Sequence, residues 1–384
     1  MMRKSQKNPS GKRKIVQVFA RIEGRAVPFE WIAESRISKD FDLSFVILNP
    51  GPSEFESCIR ATGVPVLSLK YRAKSALPRA IYELGAHFRA HHPDIVHTHL
   101  ADANVAGLLA SRLAGVPGRM YTRHHSDFNH IYFPHAVYQD RFMNSLATKI
   151  VATCETGRRV LMDMEGVADE KIKIVNFGLK MELFDDVTDE KVEELRIKYK
   201  TKGKFPVVGV IAKYIEWKGI QYVIEAFREQ VLKAYPNACL VLANAFGPAH
   251  IKEIHRLLGQ LPQGSYSEIK FEGQLGALYR LFDVFAHVPV DPVCEAFGQT
   301  YIEALAARIP SVFTLSGIAR EFIEHERNAL VVNFRDSEDL AKALLRLLAE
   351  PDLAQRLSRQ GRKDIETLFP LSRMIDSLHE LYSL

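Results

Sequence analysis

Short apolar runs alternate with helix-length amphipathic stretches along this chain, and the alternation runs through twice. KIVQVFA at 14–20 and LSFVIL at 43–48 open the first pass, followed by apolar runs at 66–69, 95–98, 119–122, 149–152 and 172–175. Between them lie helical patterns near 28–37, 54–61, 77–91, 102–114, 136–146 and 155–165. Strands separated by helices at this spacing predict a parallel sheet covered on both faces. KYKTKGK at 198–204 then sets lysine at every second position and buries nothing, the pattern of a linker. The alternation restarts with strands at 207–211, 239–243, 269–271, 284–288, 311–314 and 330–332, and closes with helices at 337–349, 351–368 and 371–384. The expected class is α/β, with two doubly wound, Rossmann-like domains in sequence. The expected boundaries are a basic tail over 1–13, a first domain over 14–197, a linker over 198–205 and a second domain over 206–368. A last helix over 369–384 is expected to cross back to the first domain.

Charge and composition narrow the partners. The formal net charge of +5 is misleading, because Arg3, Lys4, Lys7, Lys12, Arg13 and Lys14 fall in the first fourteen residues with no acid among them. Without them 45 basic residues face 46 acidic ones, so the body is near neutral, which argues against nucleic acid as a partner. The tail reads as a solvated segment, with contact to an anionic membrane as the alternative. No apolar run reaches the roughly 18 residues of a membrane span, and no secretory pattern opens the chain. Cys58, Cys154, Cys239 and Cys294 stand far apart without a CxxC, as reduced thiols of a cytoplasmic protein do.

The stretch VCEAFGQTYIEALAA, 293–307, carries the chemistry. Glu295 and Glu303 have seven residues between them, and Gly298 lies where a helix begins after the strand at 284–288. A helix start offers unpaired N–H groups and a positive dipole end, a seat for phosphate. Carboxylates on either side of such an anion site suit the hydroxyls of two sugars joined through a diphosphate. Cations come from AKYIEWKG after the strand at 207–211, where Lys213 and Lys218 stand five apart. Two cations on a diphosphate neutralise the charge that builds as a glycosidic bond breaks. On spacing alone, ordinary surface lysines and a solvated helix-face glutamate remain open readings.

AKYIEWKGIQYVIEAF, LFDVFAHVPVDPVCEAFGQTYIEALAARIPSVFT, the turn at Gly317 and NALVVNF resemble the donor-binding half of glycosyltransferase family 4. PDIVHTHLADANVAGLLASRLAGVP, YTRHHSD, KIVATCETGRRVL and KIKIVNFGLKMELF are similar to its other half, so the likeness covers roughly 93–369. The resemblance implies a GT-B fold, with two Rossmann-like domains facing each other across a cleft. It also implies a retaining enzyme that moves a sugar from a UDP- or GDP-type nucleotide sugar to a hydroxyl, without a metal or other cofactor. By that resemblance Glu303 holds the ribose hydroxyls, and Glu295 with the backbone N–H groups of Phe297 and Gly298 holds the transferred sugar. Lys213 and Lys218 sit on the diphosphate. Lys213 stands where arginine is commoner, which keeps the charge and loses the bidentate fork. His124 matches the histidine facing the donor sugar, His125 is the second choice, and His99 and Asp102 line the acceptor side. The usual Gly-Gly loop after the first strand is reduced to Ile22-Glu23-Gly24-Arg25, with Gly24 left to approach a phosphate.

Asp40 and Asp42 precede a strand at the wrong edge for a metal site, and His87, His91, His92, His97 and His99 span a helix end and a strand, so no metal ligands are expected. The family's roles imply an acceptor that is a polysaccharide or a lipid-linked sugar, at the inner face of the cytoplasmic membrane. Two rival readings are a nucleotide-sugar 2-epimerase on the same fold and a binding protein that has lost the chemistry.

Overall fold

The computed structural model describes residues 11–247 and 250–384. Most of the basic tail, with Arg3, Lys4 and Lys7, lies outside the described residues. The chain forms two compact units, one ending at Gly178 and taking back Leu371–Leu384, the other running Leu179–Pro370.

The first unit holds a seven-stranded sheet of β1 (Lys14–Ala20), β2 (Asp42–Asn49), β3 (Val66–Lys70), β4 (Ile95–His99), β5 (Gly118–Arg123), β6 (Lys149–Ala152) and β7 (Ile172–Ile174). Every pairing is parallel and the order is β3-β2-β1-β4-β5-β6-β7. β1 is buried along nearly its whole length, as a central strand covered on both faces must be, and its apolar run follows from that. On one face Ile15, Phe19, Phe45 and Ile47 pack against Met374, Ile375, Leu378 and Leu381 of the last helix, Leu371–Ser383. That helix also sends Tyr382 into the sheet, where its hydroxyl meets His97 Nδ1 at 2.7 Å and accepts a hydrogen bond from Gln17 Nε2 at 3.2 Å. His97 is therefore a core histidine, tied on its other side to the Thr122 hydroxyl at 2.8 Å.

The second unit repeats the plan with β8 (Val207–Ile211), β9 (Cys239–Ala243), β10 (Tyr266–Ile269), β11 (Val284–His287), β12 (Ser311–Phe313) and β13 (Leu330–Val331). The order is β10-β9-β8-β11-β12-β13, again all parallel. In each sheet the strand order reverses beside the first strand, between β1 and β4 and between β8 and β11. Ligands of open α/β sheets bind outside the carboxyl ends of the strands at that reversal.

Two boundary expectations are corrected. The first unit does not extend to 197, because the helices Glu182–Asp185 and Asp189–Lys198 belong to the second. Val192 and Leu195 are buried there, and Arg280 holds the start of the longer helix through Val187 O at 2.6 Å and Asp189 at 2.7 Å. The stretch 198–205 is not a free linker either. Lys198 Nζ reaches Glu272 at 2.8 Å, the Tyr199 hydroxyl reaches the same carboxylate at 2.5 Å, and Thr201 is buried. Alternating lysines concealed a segment fastened to the second unit. The chain enters that unit at Leu179, whose N–H donates to Phe369 O at 2.9 Å. Smaller differences are local: the helix expected near 28–37 is broken at Ser35 into Val27–Glu34 and Ile37–Asp40. No helix among the described residues is long and apolar enough to cross a membrane.

Candidate active site

In the second unit the candidate residues gather at the carboxyl ends of β8 and β11. β11 is buried throughout and ends in His287. Beyond it the Asp291 carboxylate accepts from the N–H groups of Val293 at 2.9 Å and Cys294 at 2.8 Å, which fixes the tight turn leading into Glu295. The Glu295 N–H donates to Ser316 Oγ at 3.1 Å. The neighbouring Gly317 has a φ of 57°, and a Cβ there would stand 2.9 Å from Glu295 Cβ. This loop can lie against Glu295 only because residue 317 carries no side chain.

Glu295 is the electrostatic centre. Its Oε1 receives Lys218 Nζ at 2.5 Å and His287 Nε2 at 3.1 Å. Burial pushes the carboxyl up, but the Lys218 charge and the His287 hydrogen bond outweigh it and hold the group far below the usual carboxylate range. Lys218 is delivered by a short helical turn, Glu216–Lys218, that ends in Gly219 at a φ of 72°. Gly298, with a φ of 84°, precedes the helix Gln299–Ala306, whose first N–H groups have no carbonyl within the helix to pair with. Phe297 is buried, and its carbonyl accepts from the Ile318 N–H at 3.0 Å.

Glu303 sits in different surroundings. It is buried on the same helix and accepts from the Tyr279 hydroxyl at 3.0 Å. Burial raises its carboxyl to about 7, against the lowering effect of Tyr279. One glutamate is thus firmly anionic, and the other titrates near neutrality. Lys213 is exposed, and among the described residues it makes no hydrogen bond or ion pair with this cluster; its ammonium lies 5.2 Å from the centroid of the Phe246 ring. The structure therefore brings Lys218 and Glu295 together, sets Glu303 apart with Tyr279, and leaves Lys213 at the rim. Sequence reasoning passed over His287, Tyr279 and Ser316. The available signal was His287, a polar residue closing an otherwise apolar strand.

In the first unit the candidates lie at the carboxyl ends of β4 and β5. His99 ends β4, and Leu100 turns the chain out with a φ of 72° before the helix Ala101–Ala114 begins. His99 is buried, stacked on Phe19 with centroids 4.6 Å apart, and its Nδ1 lies 3.4 Å from His124 Nε2. It stands behind His124 instead of lining an open acceptor surface, which corrects that expectation. His124 follows β5, half-buried, with its ring stacked on Phe177 at 6.1 Å. Burial, reinforced by His125, pushes His124 down to about 4, so the ring is neutral near pH 7. His125 is turned onto Asp140 at 3.2 Å and Asn129 at 3.1 Å. Asp102 lies in the first helical turn, 3.9 Å from Arg21. At Gly24 a Cβ would meet nothing within 4 Å, so the first unit itself does not require glycine there.

Under the histidine loop lies a network the sequence did not reveal. Arg123 is buried at the end of β5 and pairs with Glu165 and, at 3.4 Å, with Asp140. His130 and Asn144 also reach Glu165, at 3.2 and 2.6 Å. The residues flanking His124 on both sides are therefore anchored to buried carboxylates. Among the described residues, no group of three or more His, Cys, Asp or Glu is placed to hold a metal ion.

Comparison with known proteins identifies the family and the fold. The model for Glycosyltransferase Family 4 matches residues 33–182, and that for Glycosyl transferases group 1 matches residues 191–364. The chain is 25% identical over 307 residues to the capsular polysaccharide biosynthesis glycosyltransferase CapM of Staphylococcus aureus, covering 77% of this chain and 78% of that protein. It is 25% identical over 342 residues to the alpha-monoglucosyldiacylglycerol synthase of Acholeplasma laidlawii, covering 82% of each. The crystal structure of Anabaena Alr3699/HepE in complex with UDP-glucose superimposes with a TM-score of 0.82 at 18% identity, covering 96% of this chain and 100% of that one, which establishes a shared fold. With a family 4 module followed by a group 1 module on two Rossmann-like sheets, the chain belongs to the GT-B glycosyltransferases, enzymes that transfer sugar from nucleotide-sugar donors.

Proposed function

We propose that the second unit seats a UDP- or GDP-type sugar at the carboxyl edge of β8 and β11, and that the sugar passes to a hydroxyl acceptor with its anomeric configuration retained. Lys218 and Lys213 take the diphosphate. Glu295, with the N–H groups of Phe297 and Gly298, takes the transferred sugar, and Glu303 takes the ribose hydroxyls. In the first unit His124 is the candidate for contact with the donor sugar and Gly24 for backbone approach to phosphate. Asp102 and His125 are left to the acceptor side, with His99 behind His124. The bond from the anomeric carbon to phosphate oxygen breaks, the bond to the acceptor oxygen forms, and the acceptor proton leaves with the phosphate. No side chain is needed as a covalent nucleophile.

The observation that carries this reading is the Lys218–Glu295 pair at 2.5 Å beside the start of helix Gln299–Ala306. An ammonium has three protons, and Glu295 uses one, which leaves two for phosphate oxygens. The helix N-terminus adds a second positive end. Charge stabilisation of this kind is worth about 3 kcal/mol per donor, so Lys218→Ala should lower turnover by two orders of magnitude or more. Turnover at the wild-type rate in that variant would overturn the assignment.

Donor and acceptor class are supported by the relatives' names. One relative, 28% identical over 180 residues, is a GDP-mannose-dependent mannosyltransferase of Mycobacterium tuberculosis acting on a phosphatidylinositol monomannoside. CapM is named for capsular polysaccharide biosynthesis, and the Acholeplasma laidlawii relative for the synthesis of alpha-monoglucosyldiacylglycerol. These names support a polysaccharide or lipid-linked acceptor; the reading places it at the cytoplasmic face of an anionic membrane, where exposed Phe133, Tyr138 and Phe142 suit contact with an interface. Co-sedimentation with anionic vesicles, lost on replacing the three aromatics by serine, tests that part. Incubation with donor alone tests the epimerase reading, which requires an altered nucleotide sugar without acceptor.

A further inference from the structure

His287 has no part in the reaction as described, yet it is the second ligand of the central carboxylate. Its ring is 2% exposed and meets Tyr301 edge-on, with centroids 4.6 Å apart. Nε2 lies 3.1 Å from Glu295 Oε1, while Nδ1 is buried and makes no hydrogen bond among the described residues. That asymmetry fixes the tautomer. A carboxylate only accepts, so the nitrogen facing it carries the proton, and Nδ1, with nothing to donate to, carries none. Burial lowers the affinity of the ring for a second proton, with Glu295 acting in the opposite direction.

Both donors converge on one oxygen. Lys218 Nζ and His287 Nε2 approach Glu295 Oε1 from separate elements, whereas Oε2 makes no hydrogen bond among the described residues. We propose that His287 is a positioning residue, which together with Lys218 saturates Oε1 and thereby keeps Oε2 of Glu295 for a hydroxyl of the transferred sugar. The inference rests on the assignment of Glu295 to that sugar. One consequence follows from geometry. The carboxylate cannot turn to take Lys218 on both oxygens while one of them is shared with a fixed imidazole.

The test uses the full chain with His287→Leu, which removes the donor at similar volume, and His287→Gln, whose amide nitrogen can stand where Nε2 stood. Each is measured for kcat and KM with the nucleotide sugar, and for Kd with UDP and GDP, which lack the sugar. The expected result is a fall of about tenfold or more in kcat/KM for His287→Leu, with UDP or GDP affinity near that of the wild type and substantial recovery in His287→Gln. A wild-type kcat/KM in His287→Leu overturns the proposal. So does an equal loss in nucleoside diphosphate affinity and sugar turnover, which marks a merely structural role, or a His287→Gln protein that folds and performs no better than His287→Leu. If His287→Leu fails to fold, His287→Asn replaces it, since its shorter amide does not reach Oε1. Glu295→Ala, run in parallel, separates the two claims. If Glu295→Ala retains wild-type turnover, the assignment of Glu295 is wrong; if it loses turnover while His287→Leu does not, only the present inference fails.

Discussion

The Tyr279 hydroxyl donates a 3.0 Å hydrogen bond to Glu303 Oε2, and both side chains are buried. Burial raises the Glu303 carboxyl from 4.5 to about 7. The folded protein then binds this proton more tightly than the unfolded chain does. Stability from this source is present below pH 4.5 and is lost as pH rises through 7. Wild type should lose up to roughly 3 kcal/mol relative to Glu303→Gln between pH 5 and 8, read as diverging melting temperatures. Nucleotide affinity should move the other way, because ribose hydroxyls donate best to the anion. Binding should tighten as pH rises through about 7 in wild type and stay flat in Glu303→Gln.

Lys218→Ala removes the ammonium from a carboxylate that stays buried. Breaking such a pair from one side costs about 3 kcal/mol or more. The double variant Lys218→Met, Glu295→Gln should recover much of the lost melting temperature and none of the turnover. Recovery of activity in the double variant would show that the pair serves folding alone.

Two glycines should respond in opposite ways. At Gly219 the φ is 72° and a Cβ would stand 1.9 Å from Val288 O, so Gly219→Ala should destabilise the second unit by more than about 1 kcal/mol. At Gly24 there is open space and φ lies outside the left-handed region, so Gly24→Ala should melt like wild type. A loss of turnover in Gly24→Ala without a loss of stability would locate a substrate at that loop. Equal melting temperatures in the two variants would contradict the packing described here.

The last helix should be indispensable to the first unit. Tyr382→Phe leaves His97 Nδ1 and the Gln17 amide without their shared partner, at about 1–3 kcal/mol in a urea titration. Removing 371–384 strips Met374, Ile375, Leu378, Leu381 and Tyr382 from the core and should prevent cooperative unfolding of that unit. Burial also lowers His97 to about 3, against 6.5 in the unfolded chain. The stability this provides is lost as pH falls from 6.5 toward 3, and acid unfolding should begin earlier in Tyr382→Phe.

Periodicity carried the strands, because a strand covered on both faces must be a continuous apolar run; β1, β6 and β8 have the bounds their apolar runs predict. It also carried the helix start after Glu295, where a glycine follows the loop. What it could not carry was allegiance. Asp189–Lys198 and Tyr199 look polar in sequence, and their attachment to the second unit rests on the remote partners Arg280 and Glu272. The site divides in the same way. Glu295, Glu303 and Lys218 were legible from spacing and resemblance, while the opposite protonation tendencies of the two glutamates were not. Those depend on His287 and Tyr279, which reach them across eight and twenty-four residues of sequence. The Arg123–Glu165 pair was hidden for the same reason, since no local pattern links residues forty-two apart.

The central claim is that the second unit holds a nucleotide diphosphate sugar through Lys218 and Glu303. Calorimetric titration of UDP- and GDP-sugars into wild type, Lys218→Ala and Glu303→Gln at pH 8 tests it most directly. The account predicts saturable binding of at least one donor to wild type, weakened about tenfold or more in each variant, a loss of about 1.4 kcal/mol. Unchanged affinity in both folded variants, or the absence of binding by every such donor to wild type, would contradict it.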